Sequence, residues 1–409
     1  MYRLVRYICY GLVLVTFALL PIGAEAQQLN SLVVEDSTYA MYLRGDWKQL
    51  QHYGRQALKQ GIDYYYLRER MGIAYYMQQK YQLAAPQFER AYRFNSGDEL
   101  NNEYLFYSYA FDGRYNEALK LSRHFSPELK KKTYTTKPAP VNLAVVEVMF
   151  KVPESRSIAQ PFYFVTVGLN HRISKGFSAF HAYSYSSQKY TRGIYQEHRY
   201  YLSANLTLPK GVSINPAFSM LYNHYTDSLF GQPMPPQRPP FLGTRKHGYF
   251  SFIGSLNISK VFPYVRLDIT NAFSNLDTTY QLQHMLGVTV YPLANQKFSV
   301  MANAILYTDN YYKSVKPVLQ GGFKFNAPQF FATSVVYTYA NIYNFHLFNG
   351  YLVQNGYDLL RHNVMVIPEF IIKKRYSLYA MYQLELKTTR ETKVNYLSHG
   401  ISFGTKLRF

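Results

Sequence analysis

The sequence has little cysteine, tryptophan or acid. One Cys and one Trp occur in 409 residues, and 24 Asp and Glu stand against 44 Lys and Arg, a formal net charge of +20. Cys9 falls in the N-terminal apolar stretch, so the rest of the chain has no residue for disulfides, thiolate catalysis or cysteine metal sites. Gly-rich phosphate loops, catalytic carboxylate pairs and His clusters with ligand spacing are also missing, and no cofactor is expected. After Ala26 there is no run of 18 apolar residues, which excludes membrane-crossing helices there. A hydrophobic fraction of 48% excludes intrinsic disorder.

What is abundant is aromatic: 43 Tyr and 28 Phe, with a mean hydropathy of only −0.24. That pairing is too polar for a helical membrane protein and too rich in Tyr for an ordinary cytosolic enzyme. It suits strands that alternate between lipid and water.

Residues 1–26 read as a secretory signal peptide. Arg3 and Arg6 form the basic start, residues 8–20 the apolar stretch, and Ala24-Glu25-Ala26 the cleavage site. An exported chain follows, which places its positive charge opposite anionic lipopolysaccharide rather than nucleic acid.

Residues 27–129 carry a helical pattern with a period of 34. Trp47, Tyr81 and Tyr115 fall in register, as do Leu50, Ala84 and Ala118; Tyr75 matches Tyr109, and Ala57 matches Ala91. The middle unit reads Gly72, Tyr75, Ala84, Phe88, Ala91. This resembles the tetratricopeptide repeat, whose small residues let antiparallel helices approach closely. The sequence departs from that motif at Arg68, at Phe106 and Ser122 in the third unit, and at Gly54 in the first. The resemblance implies a surface for a periplasmic protein partner. Residues 130–140, basic and proline-bearing, read as a linker.

After Val141 the period becomes two. Leu397, His399, Ile401, Phe403, Thr405, Leu407 and Phe409 oppose Tyr396, Ser398, Gly400, Ser402, Gly404, Lys406 and Arg408. Phe403, Leu407 and the terminal Phe409 resemble the insertion signal of outer-membrane barrels, read by the barrel-assembly machinery. Similar alternation occurs around residues 376–387, 249–258 and 197–208. Tight breaks alternate with longer ones at 152–160, 187–193, 226–246, 275–278, 309–313, 345–356 and 389–393. The expectation for residues 141–409 is an all-β transmembrane antiparallel up-and-down barrel of about fourteen strands, twelve if weakly patterned 141–151 is excluded. Pro216 and Pro317 should sit at irregularities in the ladder.

On this register Arg172, Arg199, Arg266, Lys316, Lys324, Arg361, Lys373, Lys387, Lys406 and Arg408 face inward, against Glu197, Asp268, Glu369 and Glu385. Arg199, Arg266, Lys316 and Arg361 are the candidate basic lining of a lumen that attracts anions. The five prolines of residues 231–240 make a stiff loop, read as standing out at the surface. The hydrolase candidates, His181 with Ser184 and Ser398 with His399, have spacings that put each pair on opposite wall faces, so no enzyme is expected.

Signal peptide, short repeats and barrel together resemble the YaiO-type outer-membrane barrels and, more distantly, repeat-plus-barrel porins that export exopolysaccharides. The resemblance implies an outer-membrane channel or export pore for anionic or saccharide cargo. The competing reading is a non-conducting anchor whose repeats recruit a periplasmic complex.

Overall fold

The computed structural model describes residues 29–136, 139–154, 160–190, 193–228, 244–309, 314–327, 330–373, 375–390 and 392–409. The signal-peptide stretch and the proline-rich loop lie outside the described residues.

The described N-terminal part folds as seven α-helices: α1 (Ser31–Arg44), α2 (Trp47–Lys59), α3 (Tyr65–Met77), α4 (Tyr81–Phe94), α5 (Glu99–Phe111), α6 (Tyr115–Leu121) and α7 (Pro127–Lys132). Helices α1, α3 and α5 start 34 residues apart, and so do α2, α4 and α6. Asn30 and Asp98 cap α1 and α5 by accepting from the backbone N–H of Leu32 and Asn101. A Cβ on Gly72 would lie 2.6 Å from the Phe88 ring, so only hydrogen there lets α3 lie against α4. Ala84, Ala91, Ala118 and Phe88 are fully buried, and Tyr75 and Tyr109 nearly so. The expected linker is half folded. Helix α7 runs to Lys132, which pairs with Glu103 at 2.7 Å, and Thr133 and Thr135 are buried behind it.

Fourteen antiparallel strands then close on themselves: β1 (Val141–Pro153), β2 (Phe162–Ser174), β3 (Phe177–Tyr190), β4 (Gly193–Leu208), β5 (Val212–Ser228), β6 (Thr244–Phe262), β7 (Val265–Ser274), β8 (Gln281–Val290), β9 (Phe298–Asp309), β10 (Ser314–Ala327), β11 (Phe331–Leu347), β12 (Leu352–Ile372), β13 (Tyr376–Thr388) and β14 (Asn395–Arg408). The last strand seals the first, from Leu143 opposite Arg408 to Pro153 opposite Ser398, and the Phe409 N–H donates to Asn142 O. Weakly patterned β1 is therefore a full stave.

Outward residues form a continuous apolar belt. Tyr200, Leu202, Leu206 and Leu208 on β4, Phe250, Phe252, Leu256 and Ile258 on β6, and Ile401 and Phe403 on β14 all lie open on the outside. Their neighbours Arg199, Ser251, Asn257 and Ser402 are buried inside. A closed barrel with such a belt satisfies every ladder hydrogen bond while facing lipid, so the fold is a transmembrane β-barrel. No described helix is long and apolar enough to cross a membrane.

The helices sit at the end where short turns join β2–β3, β4–β5, β6–β7 and β8–β9; this is the proximal end. Pro216 interrupts the β4–β5 ladder between Ala217 and Ile214, and Pro317 lies before the β10–β11 ladder begins at Leu319. At the distal end β3 and β4 pair as far as Tyr190 and Gly193, so the break expected at 187–193 is mostly strand.

Candidate functional site

The expected outer loop at 345–356 goes inward. Strands β11 and β12 pair regularly to Tyr339–His362, shift register at Ile342–Leu360, and resume from Asn344–Asn355 to Leu347–Leu352 as a bent hairpin. Its tip holds Phe348, Asn349 and Gly350 at positive φ (50°, 57° and 85°), a tight reversal that Asn and Gly tolerate. The tip reaches the opposite wall. Ser219 Oγ donates to Gly350 O at 3.0 Å, Ser255 Oγ to Asn349 O at 3.1 Å, and Asn349 Nδ2 to Asn215 O at 2.9 Å. Arg199 Nη1 donates to Tyr351 O at 3.1 Å, and the Tyr351 ring meets Tyr201 edge-on at 5.2 Å. On the near side Gln283 exchanges two hydrogen bonds with the backbone of His346. The hairpin thus crosses the lumen, anchored at both walls.

A cavity of about 620 Å³ runs beside it along the β1–β4 and β12–β14 walls. Met149, Phe162, Phe164, Met365, Ile367 and Met381 make its wall largely apolar. A second cavity, about 530 Å³, lies between the tip and the helices, with Asn205, Asn257, Arg266 and Asn349 in its polar lining.

The four candidate lumen cations form no common ring. Arg199 is buried at mid-wall, 3.7 Å from Glu197 and over the Phe164 ring. Arg266 lies proximally and pairs with Asp268 at 2.7 Å. Lys316 lines a small distal cavity with Asp309. Arg361 is the extra residue at the β12 bulge and donates through Nε to Thr388 at 2.7 Å. Lys406 and Arg408 converge on Glu369 at 2.8 and 3.4 Å. Acids therefore neutralise much of the basic lining. Two charged residues of β1 join the lumen unforeseen: Glu147, which accepts from Tyr379 Oη at 2.7 Å, and Lys151, 2.8 Å from Glu385.

The hydrolase candidates divide across the wall. His181 lies outside, 3.0 Å from His171, while Ser184 Oγ donates inside to Thr166; Ser398 is buried inside while His399 pairs outside with Tyr382. Among the described residues no group of three or more His, Cys, Asp or Glu is placed to hold a metal.

The helices dock on the proximal turns through polar contacts. Glu117 accepts from the Gly211 N–H at 3.0 Å while holding Arg114 at 2.6 Å. Gln82 accepts from the Tyr264 N–H and donates its own backbone N–H to Ala294 O, both at 3.1 Å. Asn116 donates to Asn205 at 2.8 Å, and Gln296 to Asp112 O at 2.8 Å. Burial at this junction pushes the Asp112 carboxyl up to about 6, against the opposing effect of the Gln82 and Gln296 amides and the nearby Arg114 charge. On the helices the rings of Tyr76, Tyr81, Tyr104, Tyr107 and Phe111 form one contiguous aromatic cluster.

This geometry defines a transmembrane β-barrel protein of the outer-membrane kind. Among solved structures, the chain is similar to a FadL homologue of Pseudomonas aeruginosa (10% identity, TM-score 0.42, covering 66% of this chain and 90% of that one). It is also similar to the CymD monoaromatic hydrocarbon channel (10%, TM-score 0.44, 69% and 92%) and the KdgM porin (10%, TM-score 0.30, 65% and 99%). At such identities and scores these likenesses carry no argument about cargo. No protein family matches the chain, and no curated protein matches its sequence.

Proposed function

We propose that the protein is a gated outer-membrane channel, with the helices on the periplasmic side as a docking platform for a protein partner or for cargo. The observation that carries the reading is the hairpin of residues 344–355. It occludes the lumen by hydrogen bonds to both walls, yet leaves a cavity of about 620 Å³ beside it. A barrel filled only for stability has no use for such a space. The aromatic cluster on the helices offers stacking surface to a saccharide or a peptide. The cargo that fits best is anionic, with an apolar or sugar body, because cations and aromatics both line the cavity. We read the protein as a conduit and not an enzyme.

The test is planar-bilayer conductance of the refolded protein and of a variant in which residues 344–355 are replaced by a two-residue turn. Current that is small in the parent and large in the variant supports a gated channel. Silence from both favours the anchor, for which the polar seal between helices and proximal turns is the supporting observation.

A further inference from the structure

The larger cavity contains a charge imbalance that its walls leave unresolved. Towards its distal end, Glu385 receives Lys151 Nζ at 2.8 Å and Lys387 Nζ at 2.8 Å, while Gln383 Nε2 donates to the same carboxylate at 2.9 Å. The Glu385 side chain is 1% exposed and each lysine side chain 14%. Two ammonium groups thus share one carboxylate away from bulk water. Of the other acids lining the cavity, Glu197 faces Arg199, and Glu147, four residues before Lys151 on β1, accepts from the Tyr379 hydroxyl, whose ring lies under Lys406. A desolvated surplus charge is costly unless an anion completes it.

Next to this cluster the wall turns apolar. Lys151 Nζ stands 5.9 Å from the Phe162 ring centroid, and Met149, Phe164, Met365 and Met381 continue the surface. The volume of about 620 Å³ falls within the roughly 300–1,000 Å³ range of small-molecule sites. The methionines give it an adaptable surface. Juxtaposing a net cationic cluster with an unbranched apolar wall selects a molecule that is charged at one end only.

We propose that this cavity is a binding site for a monoanionic amphiphile. Its carboxylate, sulfonate or phosphate monoester sits between Lys151 and Lys387, and its alkyl or aryl body lies along Phe162, Phe164 and Met365. The site deepens the channel reading by naming its cargo class, but binding is measured separately from passage.

The experiment uses the full chain in phosphatidylcholine nanodiscs, with protein-free discs as the blank. Uptake of a dansyl-labelled undecanoate is followed by fluorescence, and decanoate and decanol are compared as competitors. Decanoate should outcompete decanol by about tenfold beyond the blank, as expected of a charged hydrogen-bonded contact. In Lys387→Gln the Lys151–Glu385 pair stays neutral and intact, and the preference should fall to that of the blank while the probe still binds. Met365→Trp should fill the cavity and abolish uptake in both competitor series. Heat-modifiable electrophoretic migration reports that each variant remains a folded barrel. Equal competition by the two compounds in the parent, an unchanged preference in Lys387→Gln, or no uptake above the blank overturns the proposal. Planar-bilayer conductance of the parent and of the variant with residues 344–355 replaced by a two-residue turn separates the two readings: current from the variant without amphiphile preference in the parent sinks the site alone, and preference in the parent with silence from both proteins sinks the channel alone.

Discussion

Arg199, on the inner face of β4, donates a 3.1 Å hydrogen bond to the carbonyl oxygen of Tyr351 and so ties the wall to the tip of a hairpin that crosses from β11 and β12. The donor is charged and buried and the acceptor is backbone. The contact belongs to the stronger class of hydrogen bonds, worth about 1.5–3 kcal/mol.

Replacing Arg199 by Gln should therefore loosen the gate without removing the hairpin. The expected result is an open probability raised by about tenfold or more, from the loss of that bond. Single-channel recording checks it. Unchanged gating would show that Ser219 and Ser255 hold the tip unaided.

Gly72 faces the Phe88 ring at a distance no methyl group fits. Gly72→Ala should destabilise the helices by about 1–3 kcal/mol through overpacking. The readout is a lower first transition in thermal melting, with heat-modifiability of the barrel unchanged.

Asp112 supplies a pH dependence with a definite sign. Its folded value, about 6, lies above the ordinary 3.8, so the folded helices bind the proton more tightly than the unfolded chain. The stability linked to this group is fully present below about pH 4 and is lost as pH rises through 6. Asp112→Asn should flatten the profile between pH 4 and 7 and raise the melting temperature at pH 7. Denaturant melts of the helices across that window test this.

Glu117 is shared between Arg114 on its own helix and the Gly211 N–H on the β4–β5 turn. Glu117→Ala leaves Arg114 the longer 3.3 Å contact with Glu89 and the Tyr109 ring, and should cost about 1.5–3 kcal/mol, as for a lost charged hydrogen bond. Spin labels on α6 and the β4–β5 turn should report a broadened distance distribution.

How much was legible in the chain depends on what each strand faces. On β14 lipid and a polar lumen take alternate residues, so Phe403 and Ser402 declare their sides from sequence alone. On β1 the inner face is partly apolar. Val145 and Met149 are buried inside while Val146, Val148 and Phe150 lie outside, and the alternation disappears. Lys151, central to the cationic cluster, is hidden by that loss of contrast. The inward hairpin was equally illegible, because its anchors Ser219 and Gly350 are 131 residues apart and no local signal links them. The pairing of Arg266 with Asp268, two residues apart on one strand, was open to inspection, and the shared Glu369 of Lys406 and Arg408 was not.

Among the described contacts the helices grip the barrel between β2 and β9, whereas the closing ladder runs between β1 and β14. The seam is the one place where the wall must zip shut from two ends of the chain. Among the described contacts the seam lies outside the gripped arc, so the docking of the helices and the closing of the ladder draw on different staves.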